Sequence, residues 1–267
     1  MKVNLSRRRW LATIAAAPGL SGQSRQLVIN AHCHAGLGQT MNAPYTTRND
    51  VDVTLRHMEE AGIDRTVIFP IINPTYEKVN QEIAEICGRY PGKFIGFAKH
   101  DPETEQGRIA SMLRREIGSL GLRGLKLHKL PTREILDAVA ELNIPILYHP
   151  KQVSMFYMIA EEYPRITFIM AHLGSFHSVE WAWHYEAIAI ARRYPNVYLE
   201  TSAVIAQRFL EMAVRELGPD RVIFGSDGPD SDSRLELYKI KLLKLDPAGE
   251  AKVLGGNIQR LLPKGSV

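Results

Sequence analysis

Short apolar runs rich in β-branched residues recur eight times along this chain, and each is followed by a stretch with amphipathic helical spacing. The runs start about 22 to 38 residues apart, as repeated strand–helix units require. Eight such units in 267 residues predict a single-domain α/β fold, the (β/α)8 TIM barrel. The predicted strands are 27–31, 65–70, 94–99, 122–128, 144–149, 166–172, 196–201 and 221–226.

An open doubly wound sheet is the alternative fold. It predicts a glycine-rich phosphate turn after the first strand, and the sequence H-A-G-L-G at 34–38 offers one. That pattern is weak evidence, because histidines occupy the strand end where a nucleotide phosphate would need room. The barrel therefore remains the favoured fold.

Residues able to bind a metal ion end four of the predicted strands. In N-A-H-C-H at 30–34, His32 and His34 face the same way, with Cα atoms about 6.6 Å apart. Three later strands end in His149, His172 and Asp227. One buried histidine at a strand end is usually a hydrogen-bonded core residue, but four such strand ends indicate a common site. In a TIM barrel these ends meet at the face that carries the active site.

Several motifs between Leu27 and Leu262 together resemble the amidohydrolase superfamily. They are A-H-C-H, G-L-K-L-H at 124–128, His149 after its strand, M-A-H-L-G at 170–174, F-G-S-D-G-P at 224–229 and N-I-Q-R-L-L at 257–262. The most similar branch is amidohydrolase-2, which includes aminocarboxymuconate-semialdehyde decarboxylase, resorcylate decarboxylases and small metal-dependent hydrolases. Many relatives carry Asp where this chain has Asn30.

The resemblance implies a role for each strand-end residue. His32, His34 and His149 would be metal ligands, and Asp227 would be a ligand that also handles a proton. His172 would act as the acid or base beside the metal in single-metal members, or as a ligand in two-metal members.

Imidazole and carboxylate donors together suit zinc, and iron or manganese would also fit. We expect about one ion per chain. Lys126 shares one strand face with His128, so Lys126 should lie inside the barrel with His128 at its mouth, near the substrate. A carboxylated Lys126 would bridge a second metal ion, whereas an unmodified Lys126 would be held by a carboxylate.

The ligand set predicts an enzyme with a small-molecule substrate. The leading expectation is a hydrolase that uses a metal-activated water to cleave an amide, ester or lactone. The alternative is a non-oxidative metal-dependent decarboxylase, which needs a cationic clamp for the substrate carboxylate. Arg48, in the loop after the first strand, is the candidate clamp. A non-catalytic binding barrel would not need an open metal position.

The net charge of +4 comes from the first 24 residues, which hold four basic residues and no acidic one. The remaining chain is neutral, which argues against nucleic-acid binding. S-R-R-R-W-L-A at 6–12 and the apolar stretch after it resemble a twin-arginine export signal, too short to insert stably in a membrane. We therefore expect a leader at 1–24, an exported, periplasmic barrel at 25–267, and a cytoplasmic protein as the alternative.

Overall fold

The computed structural model describes residues 26–36 and 50–263, so the predicted leader and Arg48 lie outside the described residues. Within them, parallel strands alternate with helices in a single-domain TIM barrel, which confirms the predicted fold. The strands are β1 (Ile29–Ala35), β2 (Arg65–Pro70), β3 (Phe94–Gly96), β4 (Ala98–Lys99), β5 (Leu125–Leu127), β6 (Ile146–Tyr148), β7 (Phe168–Met170), β8 (Val197–Glu200) and β9 (Val222–Ile223).

The helices cover the outside of the barrel. They are α1 (Val51–Ala61), α2 (Glu77–Arg89), α3 (Ile109–Gly118), α4 (Arg133–Leu142), α5 (Phe156–Glu162), α6 (Trp181–Arg193), α7 (Gln207–Leu217), α8 (Ser233–Lys241), α9 (Pro247–Ala251) and α10 (Asn257–Leu261). Among the described residues, none of these helices is both long enough and apolar enough to span a bilayer.

Backbone hydrogen bonds close the barrel between its last and first strands. The amide of Ala31 donates to Phe224 O at 3.0 Å, and the amide of His34 donates to Gly228 O at 2.7 Å. Between them, the amide of Asp227 donates to His32 O at 2.8 Å. These bonds bring the strand-end residues Asp227 and His32 side by side, although 195 residues separate them in the chain.

The predicted third strand at 94–99 is interrupted at Phe97, which separates β3 from β4. The Phe97 side chain is fully buried in the interior of the barrel. Gly124 makes room for it, because a Cβ at Gly124 would lie 2.5 Å from the Phe97 ring. The strand therefore divides where a large aromatic ring fills the barrel interior, and its last residue, Lys99, reaches the active-site end.

Side chains alternate between the barrel interior and the helix layer, as a two-residue period requires. On β5, Leu125 and Leu127 pack in the outer core. Lys126, between them, is fully buried and lies inside the barrel, as predicted. On β6 the pattern is the same, with Ile146 and Tyr148 in the outer core and Leu147 in the inner core.

Candidate active site

His32 and His34 meet Asp227 at the carboxyl ends of β1 and β9. Oδ1 of Asp227 lies 2.9 Å from His32 Nε2 and 3.6 Å from His34 Nε2. The centroids of the two imidazole rings are 5.9 Å apart. The predicted pairing of the histidines on one strand face is confirmed, and Asp227 lies beside the pair.

Hydrogen bonds from behind orient three of the imidazoles. His32 Nδ1 lies 3.0 Å from Glu200 Oε2, His34 Nδ1 lies 3.2 Å from Pro70 O, and His172 Nδ1 lies 3.0 Å from Ser202 O. A histidine whose Nδ1 donates to a carbonyl or carboxylate presents the lone pair of Nε2 to a metal ion. In each ring, an Nδ1–H that donates to this oxygen is therefore the form that leaves Nε2 available to a metal ion.

His172 reaches the site through an unusual backbone turn. Phe168 and Met170 face the outer core, so continued alternation would turn His172 toward the helices as well. Instead, His172 and Leu173 have φ angles of 58° and 45°, in the left-handed region. His184 supports this turn, because its Nδ1 lies 2.9 Å from Leu173 O. The turn brings the His172 ring within 5.1 Å of the His32 ring, measured between centroids.

His149, His128 and Lys126 surround the other side of the cluster. His149 Nδ1 lies 3.0 Å from His172 Nε2, and the His149 ring stacks on His128 with centroids 5.1 Å apart. Lys126 Nζ lies 3.1 Å from His32 Nε2. The structure therefore brings every predicted site residue that it describes to one end of the barrel, and Arg48 alone falls outside the described residues.

The donor atoms fit a transition-metal ion. Among the described residues, His32, His172 and Asp227 each place a donor atom within 4.8 Å of the other two. His34 and His149 adjoin this group through Asp227 and His172, respectively. Nitrogen and carboxylate donors in this arrangement suit Zn²⁺, Fe²⁺ or Mn²⁺. Metal binding by these residues, the identity of the metal and the catalytic roles of Asp227 and His172 stay predictions.

Burial favours the neutral form of most of these imidazoles. It lowers the pKa of His34 and His172 well below the usual value and, with Lys126 nearby, lowers that of His149 to about 3. For His32, burial and Lys126 oppose the charged ring, but Asp227 and Glu200 outweigh them and raise its pKa. Neutral imidazoles do not have to lose a proton before they bind a metal ion.

Asp227 remains ionised despite its burial. Burial by itself would raise the pKa of this carboxyl, but the charge and hydrogen bond of His32, followed by His172 and His34, hold the pKa below its usual range. For Lys126 the balance goes the other way, because burial outweighs Asp227 and Glu200 and lowers its pKa to about 8.

Three residues of the site were not predicted from the sequence. Glu200 and Ser202 lie behind the histidines, where Ser202 Oγ donates to Glu200 Oε2 at 2.8 Å. Gly225 permits this arrangement, because a Cβ there would overlap the Glu200 carboxylate. Lys99, buried at the end of β4, is the third. Lys99 ends the strand predicted at 94–99, so treating every polar strand-end residue as a candidate would have found it, whereas Glu200 is the last residue only of the observed β8.

Asn30, in place of the Asp that the family resemblance led us to expect, makes two hydrogen bonds to Ser226. Its Nδ2 donates to Ser226 Oγ at 2.8 Å, and its Oδ1 accepts from the amide of Ser226 at 2.9 Å. These bonds join β1 to the segment after β9, just below the histidine pair. The site thus gains a neutral cross-link there instead of another negative charge.

A buried polar network stands behind Lys99. His100 Nδ1 lies 2.9 Å from Glu105 Oε2, and His100 Nε2 lies 2.8 Å from Glu116 Oε2. Asn80 Nδ2 donates to Glu116 Oε1 at 2.8 Å and to Lys99 O at 3.0 Å. Burial opposes charge on His100, but hydrogen bonds to both carboxylates outweigh burial and raise its pKa to about 9.

We expect His100→Gln to destabilise the fold by about 3 kcal/mol or more, because two buried carboxylates would lose their cation. A pKa raised by folding contributes stability that is complete below the unfolded pKa of about 6.5 and is lost as the pH rises through about 9. Urea unfolding should therefore show a large difference between wild type and variant near pH 6.5 and a smaller one near pH 10. His57→Gln on α1 is the control. A difference that does not change with pH would contradict a charged His100.

Comparison with known proteins agrees with the fold and with the family that the motifs resemble. The family model for amidohydrolases of the amidohydrolase-2 type matches residues 29–264. Gamma-resorcylate decarboxylase from Rhizobium sp. (strain MTP-10005) is 22% identical over 255 aligned positions, which cover 67% of this chain and 76% of that protein.

Two solved structures share the barrel. 5-Carboxyvanillate decarboxylase from Sphingomonas paucimobilis superposes with a TM-score of 0.70 at 16% identity, over 88% of this chain and 98% of that one. A dihydroxybenzoic acid decarboxylase from Polaromonas sp. JS666, with bound manganese and the inhibitor 2-nitroresorcinol, has a TM-score of 0.67 at 19% identity, over 88% and 96%. Because the family model spans nearly all of the barrel, this chain belongs to the amidohydrolase-2 family and is an enzyme of that family.

Proposed function

We propose that this protein is a metal-dependent, non-oxidative decarboxylase of a small aromatic carboxylic acid. The reaction breaks the bond between the aromatic ring carbon and the carboxylate group, releases CO2 and places a proton on the ring carbon. The motifs led us to expect a hydrolase first and a decarboxylase as the alternative, and the proposal reverses that ranking. The named relatives above, which are decarboxylases, support the change.

Two buried lysines beside the ligand cluster carry the proposal. The ammonium groups of Lys126 and Lys99 are 0% and 2% exposed at the strand ends. Asp227 and Glu200 act on Lys126, and Asp227 also acts on Lys99. With both lysines charged, a divalent ion would therefore leave two positive charges that these two carboxylates do not balance. Uncompensated buried charge is costly, and an anionic substrate offsets that cost. A neutral amide, ester or lactone would not.

The site residues can perform the proton transfer. The metal ion, when bound, would orient the substrate carboxylate and stabilise negative charge in the transition state. His32 and His34 hold Asp227 in its ionised form, so that its carboxylate can accept a proton and return it to the carbon that loses CO2. His172, whose Nε2 lies 3.0 Å from His149 Nδ1, is the second candidate for this role.

A direct assay distinguishes decarboxylation from hydrolysis. We expect the protein to release CO2 from hydroxylated benzoic acids, to lose this activity after chelation and to regain it with Zn²⁺ or Mn²⁺. Elemental analysis should find about one transition-metal ion per chain. Hydrolysis of a lactone, ester or amide from a substrate panel, without CO2 release, would contradict the decarboxylase and favour a hydrolase. Absence of metal in the purified protein, with no activation by any added metal, would contradict both functions.

A further inference from the structure

Lys99 is a buried lysine that the ligand cluster does not use, and burial, followed by the charge of Lys126, lowers the pKa of its amine well below the usual range. Its Nζ donates to Pro70 O at 3.1 Å and lies 5.4 Å from the centre of the Tyr76 ring. Within the described ranges, no carboxylate lies within ion-pair distance of this ammonium group. A buried ammonium with one carbonyl acceptor leaves most of its hydrogen-bonding capacity unmet.

His128 has an unmet polar atom beside it. Its Nδ1 is buried and has no hydrogen-bond partner in the part of the chain that the structure describes. The His128 ring lies between His34 and His149, with centroid distances of 5.8 Å and 5.1 Å. Lys99 adjoins the same group, because Lys99 Nζ and His34 Nδ1 both contact Pro70 O, at 3.1 Å and 3.2 Å.

The end of β4 is held firmly, so the position of Lys99 is determined by the fold. Asn80 Oδ1 accepts from the amide of Lys99 at 2.9 Å, and Asn80 Nδ2 donates to Lys99 O at 3.0 Å. Glu116 and His100 hold Asn80 in turn. A lysine whose backbone is fixed in this way can bind an anion with little further loss of conformational freedom.

We propose that Lys99 Nζ and His128 Nδ1 form a subsite for a second acidic oxygen of the substrate, separate from the carboxylate held at the ligand cluster. An anionic oxygen would accept a hydrogen bond from Lys99 and another from a protonated Nδ1 of His128. The substrate would then be a small aromatic acid with a further carboxylate or phenolate. This inference rests on the proposed function, because it assigns the first carboxylate to the metal cluster.

Binding of two matched probes tests the subsite directly. Wild type should bind benzene-1,3-dicarboxylate more tightly than benzoate by calorimetry, since only the dicarboxylate supplies the second anion. Lys99→Met should weaken dicarboxylate binding about 10- to 100-fold, the worth of a charged hydrogen bond, and change benzoate binding about twofold or less. 3-Hydroxybenzoate, whose hydroxyl occupies the ring position of the second carboxylate, shows whether a phenolic oxygen also uses the subsite.

Two further variants separate binding from folding. Lys129→Met is the control for charge, because Lys129 lies at the same end of the barrel but is already paired with Asp101 and Glu103 at 2.8 Å and 2.6 Å. His128→Leu should weaken dicarboxylate binding, and His128→Asn, which keeps a polar atom near the position of Nδ1, should restore much of it. If Lys99→Met does not fold, Lys99→Gln replaces it in the same comparison.

The outcomes distinguish this inference from the proposed function. Equal affinity of wild type for the two probes, or an equal loss of both in Lys99→Met, would overturn the subsite even if CO2 release is observed. If Lys99→Met loses the preference for the dicarboxylate and Lys129→Met keeps it, the subsite is supported even if no acid in the panel is decarboxylated.

Discussion

Asp227→Asn is expected to lower turnover about 100-fold or more while it retains part of the bound metal. The amide keeps an oxygen near His32 Nε2, where Oδ1 of Asp227 lies at 2.9 Å, but it cannot accept and return a proton. Steady-state kinetics and metal content, measured on the same preparation, separate the two effects.

Asp220→Asn is a suitable control for this variant. Asp220 precedes β9 at the opposite end of the barrel and pairs with Lys252 at the surface, with a separation of 2.9 Å. The Asp220→Asn substitution removes a carboxylate that does not contact the site, so turnover should not change. Normal turnover in Asp227→Asn would make Asp227 a structural residue and would leave His172 as the candidate base.

His32→Ala is expected to remove most of the bound metal and, with it, the activity. His32 contributes Nε2 to the group of three donors, and its Nδ1 lies 3.0 Å from the buried carboxylate of Glu200. The variant therefore loses a ligand and also leaves Glu200 without its imidazole. Elemental analysis of the folded protein should fall from about one ion per chain toward none.

His32→Asn separates these two losses. Its amide nitrogen can still donate to Glu200, but no atom remains at the position of Nε2. We expect it to be more stable than His32→Ala and equally poor in metal. The exposed residue His177, at the same end of the barrel, provides the control His177→Asn. Normal metal content in both His32 variants would place the ligands elsewhere.

Strand position was well predicted because strands depend on local patterns. The strand predicted at 65–70 coincides with β2 (Arg65–Pro70), and the predicted interior position of Lys126 follows from alternation alone. The pairing of His32 with His34 is local for the same reason, since the two residues share one strand. Most other predicted strands were longer at both ends than the observed ones. The strand predicted at 122–128, for example, is β5 (Leu125–Leu127).

Contacts between distant segments could not be predicted in this way. His172 required a left-handed turn that alternation contradicts, and the turn is supported by His184 on α6. The interruption of the third strand at Phe97 depends on the space that Gly124 leaves on the next strand. Both features follow from packing between strands and helices, and no single segment contains the information.

The sequence by itself determined the eight strand–helix units, the end of the barrel that carries the site and the identity of the metal-capable residues, because each depends on residues close together in the chain. Only the tertiary structure decided which groups support them. Glu200 lies behind His32 across 168 residues. Lys99 is buried, and no carboxylate of the described structure lies within ion-pair distance of it. Burial, orientation and missing counterions are properties of the folded surroundings, so they appear only once the barrel has closed.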